Sequence, residues 1–405
     1  MTLCPHASLL DIRNFEQGTP REEIARLRQS HRMVWQEDEY ANGGHWLVLQ
    51  AADIDTVLKT PADFTNNFSP LLEDFPEEFL PEAQKSLTFM DPPQHRSYRA
   101  LADFAFKPRV LAERVPLMQA IAEGILDGLG DSGECEFVDA VAARFPVDVL
   151  FRLLGVDEQD YQRVVDITNT MLLANDPDYA KDRIEGFMAS LALFEFGAEL
   201  AQSHRDRPRD SMTAQMLETE IDGIRMSNEQ YGSFFNNLVA GGVETTRNTL
   251  AWLVYELCQH PEQWALLKQQ PELVPNAVEE ILRLRNTVVY LRRTATRDME
   301  FAGEQIRKGD KLVCVLGSPN RDPELFDNPD SFDVSRPVAA TRRHYRTFGA
   351  GPHFCIGVHQ ARMNLEVMTA AIVNRWSDIT LLAQPAYFRS NFMDGFKRLQ
   401  IAYSA

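Results

Sequence analysis

The chain has 405 residues, of which 44% are hydrophobic and 25% charged, a composition typical of soluble globular proteins. A formal net charge of −18 argues against nucleic acid or an anionic membrane as the main partner. No apolar run approaches the roughly 18 residues that a membrane span needs. Residues 1–6 lack the charged and apolar blocks of a signal peptide, so a cytoplasmic protein is expected.

Segments with helical and strand-like patterns alternate along the chain without an internal repeat or a Gly/Ser linker. Helical periodicity is clearest over residues 110–129, 182–201 and 261–284. Short strand-like runs occur at 46–50, 288–292, 311–315 and 399–403, in the first quarter and the last third. The patterns predict one mainly α domain over residues 1–405 with small β-sheets, strand-rich near 46–50, 288–315 and 399–403.

A long helix is predicted in the second half of the chain. Ser227 and Gln230 have the spacing of a capping box, and the helical pattern continues to about Gln259. About 32 residues at ~1.5 Å each give roughly 48 Å, enough to cross a domain. The centre, AGGVETT at 240–246, holds two glycines that each cost about 1 kcal/mol in a helix. An unfavourable segment with a buried acid indicates a functional site.

The five cysteines are odd in number and widely spaced, which fits neither a disulfide framework nor a structural zinc site: Cys4, Cys135, Cys258, Cys314 and Cys355. Only Cys355 follows a glycine- and proline-rich loop, FGAGPHFCIG at 348–357, and a helix is predicted from there to Trp376. The helix N-terminus would stabilise a thiolate, which can bind haem iron, and Gly357 would allow a flat ring close to the backbone. A plain buried cysteine, a partial dinucleotide fingerprint and a zinc site are the alternatives. The fingerprint lacks its third glycine, and the zinc site lacks two ligands.

This loop resembles the cysteine signature of the cytochrome P450 superfamily, Phe-Gly-x-Gly-x-His-x-Cys-x-Gly, at every fixed position. The resemblance covers essentially the whole chain and implies the P450 fold, with a long central helix over a haem b. It implies that Cys355 binds the iron and that further loop and helix residues contact the haem: Phe348, Gly349, His353 and Gly357 in the loop, and Ala240, Gly241 and Thr245 in the central helix.

Two more motifs gain meaning from the resemblance. Glu280 and Arg283, alone an ordinary helix-face pair, match Glu-x-x-Arg and imply a buried ion pair that braces the cysteine loop together with Arg336. Glu244 and Thr245 match the acid–alcohol pair that delivers protons during dioxygen activation. The alternative for the threonine is a hydroxyl bonded to the carbonyl four residues before it.

Haem propionates need cationic or hydrogen-bonding partners when the ring is buried. The resemblance implies four such groups: His95, Arg99, Arg293 and His353. The neighbouring Arg96 and Arg292 remain alternatives.

The expected substrate pocket is apolar with few formal charges, which indicates a hydrophobic ligand. Seven residues are the main candidates for substrate contact: Phe89, Asn237, Ala240, Gly241, Val288, Val289 and Phe392. Further candidates come from the same segments: Phe68, Leu72, Phe75, Phe79, Leu87, Met171, Leu172, Phe187 and Met393. Segments 290–298 and 389–397 resemble a bacterial subgroup that oxidises terpenoids, sterol side chains and methyl-branched lipids.

Electrons are expected from a separate ferredoxin-type donor, because no flavin or iron–sulfur module is visible, and the family default is a monomer. A basic cluster predicted on the thiolate side suits an acidic ferredoxin, with an ordinary solvated face as the alternative: Lys107, Arg109, Arg342, Arg343 and Arg346. Two other functions stay open, a peroxide-driven peroxygenase and a non-catalytic haem-binding or sensor protein.

Overall fold

The computed structural model describes residues 8–38, 43–75, 77–221 and 223–404, so Cys4 and the segment 1–6 lie outside the described part. Helices dominate, in this order: α1 Arg21–Ser30, α2 Ala51–Lys59, α3 Leu80–Ala83, α4 Gln94–Asp103, α5 Pro108–Ala112, α6 Val115–Leu129, α7 Arg144–Leu154, α8 Tyr161–Leu172, α9 Arg183–Asp206, α10 Met212–Glu218, α11 Asn228–Gly242, α12 Glu244–Gln259, α13 Pro261–Gln269, α14 Val274–Leu284, α15 Gly317–Asn320, α16 Val338–His344 and α17 Val358–Arg375.

Strands are short: β1 Met33–Gln36, β2 His45–Val48, β3 Phe64–Thr65, β4 Ser132–Glu136, β5 Glu220–Ile221, β6 Ile224–Arg225, β7 Tyr290–Ala295, β8 Met299–Phe301, β9 Glu304–Ile306, β10 Lys311–Val315, β11 Asp378–Leu381, β12 Ala386–Tyr387, β13 Phe396–Arg398 and β14 Gln400–Ser404. The main sheet has the order β1-β2-β10-β7-β3, in which only β2 and β10 are parallel. A second sheet has the order β11-β14-β4. The prediction of a mainly α fold with small sheets is confirmed.

Several predicted boundaries were wrong, and prolines explain two of them. The helix predicted over 110–129 divides into α5 and α6, with Pro116 in the first turn of α6. The helix predicted over 261–284 divides into α13, a 3-10 turn that begins at Pro271, and α14. Proline donates no backbone N–H and clashes with the preceding turn, so it begins helices rather than continuing them.

The bounds of the strands were predicted less accurately than their presence. The strand predicted at 311–315 has those bounds, whereas the one predicted at 288–292 begins two residues later, at Tyr290. Strand β4 lies outside the strand-rich segments that the sequence predicts. It forms because it pairs with β14, a contact with the far end of the chain that no local pattern shows.

The central helix is interrupted at one residue. The capping box forms as predicted: the Gln230 backbone N–H donates to Ser227 Oγ at 3.2 Å, and the Ser227 N–H donates to Gln230 Oε1 at 2.8 Å. α11 ends at Gly242 and α12 begins at Glu244, with Val243 between them. The interruption follows the two glycines, the weakest helix formers in the segment.

The largest core surrounds this helix pair. α12 packs against α14 and α17, and α11 packs against α9. Trp252 and Leu257 of α12 are buried in the same cluster as Leu365 of α17 and Phe151 of α7. A helix surrounded in this way provides a fixed reference for the groups along its length.

Candidate active site

The loop that carries Cys355 has a backbone that only glycine adopts easily. Gly349 and Gly351 have φ values of 70° and 72°, in the left-handed region. A Cβ on Gly351 would lie 2.2 Å from the carbonyl oxygen of Leu58 in α2, so a side chain is excluded there. The Cys355 backbone N–H donates to the Phe348 carbonyl at 3.1 Å and closes the loop.

Cys355 stands three residues before α17, whose N-cap is Gly357. Burial raises the pKa of the Cys355 thiol above its ordinary value, while a hydrogen bond from the Gly357 backbone and the charges of Arg99 and Arg362 act in the opposite direction. The predicted position near a helix N-terminus is therefore present, but the expected thiolate stabilisation is outweighed by burial. Coordination to a metal cation shifts such a balance to the thiolate.

A first buried network anchors the chain before this loop. Arg283 donates to both carboxylate oxygens of Glu280, at 2.8 Å and 2.7 Å, and both side chains are fully buried. Arg336 donates to the same carboxylate at 3.0 Å. Arg283 also donates to three backbone carbonyls: those of Asn320, Pro329 and Ser331. The structure thus brings Glu280, Arg283 and Arg336 together as the sequence predicts.

Asn320 connects that network to the cysteine loop. Its backbone carbonyl accepts from Arg283 at 2.9 Å. Its side-chain oxygen accepts from the Arg346 backbone N–H at 2.7 Å, and its amide donates to Thr347 Oγ1 at 2.9 Å. Thr347 in turn donates to the Leu282 carbonyl of α14 at 2.7 Å. The start of the loop is therefore tied to α14 at two points.

A second network, which the sequence reasoning missed, holds the loop from the other side. Glu279 is fully buried and lies 2.7 Å from both Arg342 and Arg362. Tyr345 donates to Glu279 at 2.6 Å and accepts from Arg362 at 2.7 Å. The Arg362 guanidinium lies 5.1 Å from the ring centre of Phe348, the first residue of the loop. A second acid directly before Glu280 was the signal in the sequence.

One glycine of the pair in the central helix, Gly241, borders an open space. Gly241 is exposed although its helix is packed on several sides, and a Cβ there would meet nothing within 4 Å. Thr245, four residues after Gly241, is half-buried on the same face of the helix, and Ala240 beside Gly241 is also half-buried. Thr245 Oγ1 donates to the Gly241 carbonyl, the contact that the sequence left open as its alternative. A reacting group near this face would compete with that carbonyl for the hydroxyl.

The acid beside Thr245 is held in a buried ion pair. Glu244 is 2% exposed, and Arg247 donates to Glu244 Oε2 at 2.8 Å. Arg247 also bonds to the side chain of Tyr179, and its guanidinium lies 5.0 Å from the ring centre of Phe388. Burial lowers the pKa of Arg247, but Glu244 and Tyr179 offset it, so that the pKa lies above its ordinary value. Arg247 was missed; its spacing of three residues from Glu244 was the available signal.

Four groups proposed for the propionates occupy one region next to the cysteine loop. The rings of His95 and His353 lie 4.1 Å apart, and a His353 ring nitrogen lies 3.0 Å from the Met90 carbonyl oxygen. Burial lowers the pKa of His95 to about 4 and that of His353 to about 2, and the charges of Arg99 and Arg293 act in the same direction. His95 Nδ1 is buried without a hydrogen-bond partner among the described residues.

The four arginines considered for the propionates differ in whether they already have hydrogen-bond or ion-pair partners. Arg292 lies 2.8 Å from Asp74 and donates to the carbonyls of residues 71–73. Arg293 is buried and donates only to the Arg292 carbonyl, without an ion pair to any carboxylate of the described part. Burial lowers the pKa of Arg293 to about 10. Arg99 donates to the carbonyls of Pro352 and Phe354, whereas Arg96 is exposed.

Aromatic side chains form the roof of the expected pocket. Phe75 contacts Phe89 and Phe187 edge to face, with ring centres 5.5 Å and 5.7 Å apart, and Phe79 lies 4.8 Å from Phe187. The aromatic residues named from the sequence thus meet between the segment before α4 and helix α9. Leu172, Val288 and Phe392 pack around the buried Met393 in a further small cluster.

A family model for "Cytochrome P450" matches residues 147–381, more than half of the chain. The chain belongs to the cytochrome P450 family. It is 30% identical to a "Steroid C26-monooxygenase" of Mycolicibacterium smegmatis, over 95% of this chain and 91% of that protein. It is 30% identical to a "Linalool 8-monooxygenase" of Pseudomonas putida, over 96% of this chain and 98% of that protein. A solved structure of a Mycobacterium marinum cytochrome P450 in complex with pseudoionone superposes with a TM-score of 0.87, at 30% identity, over 99% of this chain and all of that one.

The predicted P450 fold and the assignment to a class of monooxygenases are therefore confirmed. Membership implies a haem whose iron is bound by a cysteine thiolate, and the residues present fit it. Cys355 is partly accessible, and the unpartnered His95 Nδ1 and the guanidinium of Arg293 suit two buried carboxylates. Among the described residues, no helix is long and apolar enough to cross a membrane.

Some predicted site residues lie elsewhere. Val289 is 2% exposed and packs in the core with Leu9, Leu10 and Val313, so it does not line the pocket. Its backbone N–H donates to the Phe392 carbonyl, and the alternation of side chains places Val288 on the opposite side. Leu72 is buried in that same core, and Phe68 is 47% exposed at the surface.

The predicted basic cluster is smaller than expected. Arg346 donates to both oxygens of Asp55, at 2.6 Å and 2.9 Å, and Arg342 pairs with Glu279 while 41% of its side chain stays exposed. Lys107, Arg109 and Arg343 are exposed. α5, which carries Arg109, packs against α17, the helix that follows Cys355.

Proposed function

We propose that this P450 hydroxylates a hydrophobic small molecule of the terpenoid, steroid or branched-lipid class, using dioxygen and two electrons from a ferredoxin-type donor. The buried Glu244 beside Thr245 on the open face at Gly241 carries the proposal. The haem, as haem b, supplies the redox chemistry that activates dioxygen when it is bound.

In this proposal Cys355 provides the thiolate, and His95, Arg99, Arg293 and His353 hold the haem carboxylates. Phe348, Gly349, Gly351 and Gly357 shape the loop beneath the ring. Cys355 is kept in position by the Glu280 and Glu279 networks, whose members are buried and paired. A ligand on such a fixed loop presents its sulfur with little reorganisation.

Protons are delivered on the opposite side by Glu244 and Thr245. Arg247 holds Glu244 Oε2, so Glu244 takes up a proton from solvent and passes it to Thr245 through its other oxygen or after this ion pair opens. Thr245 Oγ1 then exchanges its bond to the Gly241 carbonyl for one to the reacting group. A preformed peroxide needs less proton delivery, so this arrangement favours the dioxygen-dependent monooxygenase over the peroxygenase. It gives no reason for a purely sensory role.

The proposed substrate class follows from the pocket and the relatives. The roof is aromatic, and Ala240, Gly241, Val288 and Phe392 add small or apolar surface. One relative is named for a steroid and another for a terpenoid alcohol. We propose the same broad class here.

Two measurements test the proposal. The dithionite-reduced protein with carbon monoxide should show the strongly red-shifted Soret band of thiolate-bound haem, and Cys355→His should lose it. Product from terpenoid, steroid and branched-lipid probes should form with a ferredoxin system and dioxygen. A histidine-type band in the wild-type protein contradicts the assignment of Cys355. Product with peroxide alone, and none with the ferredoxin system, identifies a peroxygenase instead.

A further inference from the structure

A closed ring of hydrogen bonds joins the central helix to the segment before α4. Asn237 Nδ2 donates to Ser86 Oγ at 2.9 Å, Ser86 Oγ lies 3.1 Å from Thr88 Oγ1, and Thr88 Oγ1 donates to Asn237 Oδ1 at 3.3 Å. All three side chains are half-buried. We call Ser86, Thr88 and Asn237 the polar ring.

The directions of these bonds are determined by one neighbour. Asn237 Nδ2 also donates to the Ser233 carbonyl at 2.9 Å, and a carbonyl accepts only from the amide nitrogen, so the orientation of the amide is set. Its Oδ1 must then accept from Thr88. Because Thr88 uses its single proton on Asn237, the proton between the two hydroxyls must belong to Ser86.

Counting protons shows what the polar ring can still bind. Both amide protons of Asn237 and the hydroxyl protons of Ser86 and Thr88 are used within the ring or on Ser233. Each of the three oxygens keeps an unused lone pair. The polar ring therefore has acceptors to spare and no donor, so it favours a group that donates a hydrogen bond over a carbonyl or an ether.

The position of the polar ring relative to the reacting end follows from the helix. Asn237 lies four residues before Gly241 and eight before Thr245, on the helix face that carries the open position. Eight residues correspond to roughly 12 Å along the axis. Phe89, one residue beyond Thr88, belongs to the aromatic roof, so the polar ring lies at the edge of apolar pocket walls.

We infer that the polar ring is a recognition site for a substrate hydroxyl, which makes the preferred substrate a hydrophobic alcohol. The hydroxyl binds at the end remote from the oxidised carbon, roughly 6 to 12 Å along the central helix from Gly241 and Thr245. This inference rests on the proposed function, because it assigns a polar contact within the same substrate pocket.

The test compares three probes on the haem-loaded protein by titration of the spin-state change: farnesol, farnesyl methyl ether and farnesal. The probes share one apolar chain and differ in whether the oxygen can donate. We expect farnesol to bind about three- to tenfold more tightly than the other two, the gain from one net hydrogen bond. Equal affinities for the three probes in the wild-type protein overturn the inference.

Three substitutions in the polar ring should have different effects on the affinities for farnesol and farnesal. Thr88→Val frees the Ser86 proton and should bring the farnesol-to-farnesal affinity ratio close to one, whereas Thr88→Ser should keep it. Ser86→Ala frees an amide proton of Asn237 and should raise affinity for farnesal. Asn236→Ala is the control, because Asn236 donates to Ser190 outside the ring. A ratio that survives in both Thr88→Val and Ser86→Ala also overturns the inference.

The carbon monoxide spectrum of each variant separates the possible failures. A normal thiolate-type spectrum with no alcohol preference removes only the polar ring as a recognition site. A wild-type protein without that spectrum removes the proposed function as well.

Discussion

The two sides of the proposed haem site differ in how their polar groups are paired. Around the cysteine loop, the carboxylates of Glu279 and Glu280 are fully buried, and each is paired with more than one arginine. On the central helix, Gly241 is open, and among the described residues the Thr245 hydroxyl donates to the Gly241 carbonyl alone. The comparison shows a rigid side that positions a ligand and an opposite side that keeps space and exchangeable hydrogen bonds.

The largest effect should come from breaking the rigid side at Arg283. Arg283→Lys removes the bidentate contact with Glu280 and several carbonyl contacts, and leaves a buried carboxylate poorly paired. We expect a loss of about 3–5 kcal/mol in the free energy of unfolding, measured by chemical denaturation, together with poor haem incorporation. The control is Arg26→Lys, which alters an exposed pair with the same spacing, Arg26–Glu23, and should change the stability by less than about 0.5 kcal/mol. Equal effects of the two variants contradict the assigned role of the buried network.

A substitution on the open side should reduce the rate of catalysis instead of the stability of the fold. Glu244→Gln should lower turnover by about a hundredfold, because a general acid–base group contributes factors of 10²–10⁴, and should increase the solvent isotope effect. The control is Glu195→Gln, an exposed acid on α9. Wild-type turnover in Glu244→Gln would remove this residue from proton delivery.

Neighbouring threonines provide a matched pair. Thr245 and Thr246 both donate to the carbonyl four residues before them, but only Thr245 lies on the open face, while Thr246 is 3% exposed. Thr245→Val should lower the product formed per electron about tenfold, with hydrogen peroxide as the alternative product. Thr246→Val should cost about 1 kcal/mol of stability and leave that ratio unchanged. Similar ratios for the two variants would mean that position on the open face is irrelevant.

A smaller effect tests a buried group outside the site. His45 is fully buried, and its pKa is lowered to about 3 by burial and by the charges of Lys311 and Arg292. The unfolded chain binds a proton at His45 below pH 6.5 and the folded chain does not, so stability falls as the pH drops from 6.5 toward 3. The contribution is at most about 1.4 kcal/mol per pH unit. His45→Gln should reduce the slope of unfolding free energy against pH in this window, and an unchanged slope contradicts the assignment.

The smallest effect should be on electron transfer. Arg343→Glu reverses an exposed charge on α16, beside Arg342, which reaches Glu279. We expect an acidic ferredoxin to reduce the variant a few-fold more slowly than the wild-type protein at low salt, while the substrate affinity stays unchanged. The control is Lys308→Glu on the turn between β9 and β10. Arg346 is unsuitable for this test, because its ion pair with Asp55 is structural.

Much of the site could be predicted because its parts are local in sequence. The loop at 348–357 combines glycines with positive φ and a cysteine before a helix, and each property can be read from neighbouring residues. The pairing of Glu280 with Arg283 is a spacing of one helical turn. Arg336 required the family resemblance, since it lies 56 residues from Glu280.

Prediction failed where packing between distant segments decides the outcome. β4 exists because of β14, Val289 turns into the core formed with the first residues of the described chain, and Arg346 is taken by Asp55 from α2. In each case the partner lies more than 250 residues away along the chain. A local sequence pattern carries no information about contacts between such distant segments.

The sequence by itself determined the class of fold, the family motifs and the types of residue that the chemistry requires, because these follow from periodicity, glycine conformation and short spacings. Only the tertiary structure decided which arginines are free. Arg293 remains available and Arg292 does not, although the two are adjacent, because a strand turns their side chains to opposite sides and Asp74 lies on one side only. The same reason applies to the polar ring, whose closed set of hydrogen bonds exists only once the segment before α4 rests on the central helix.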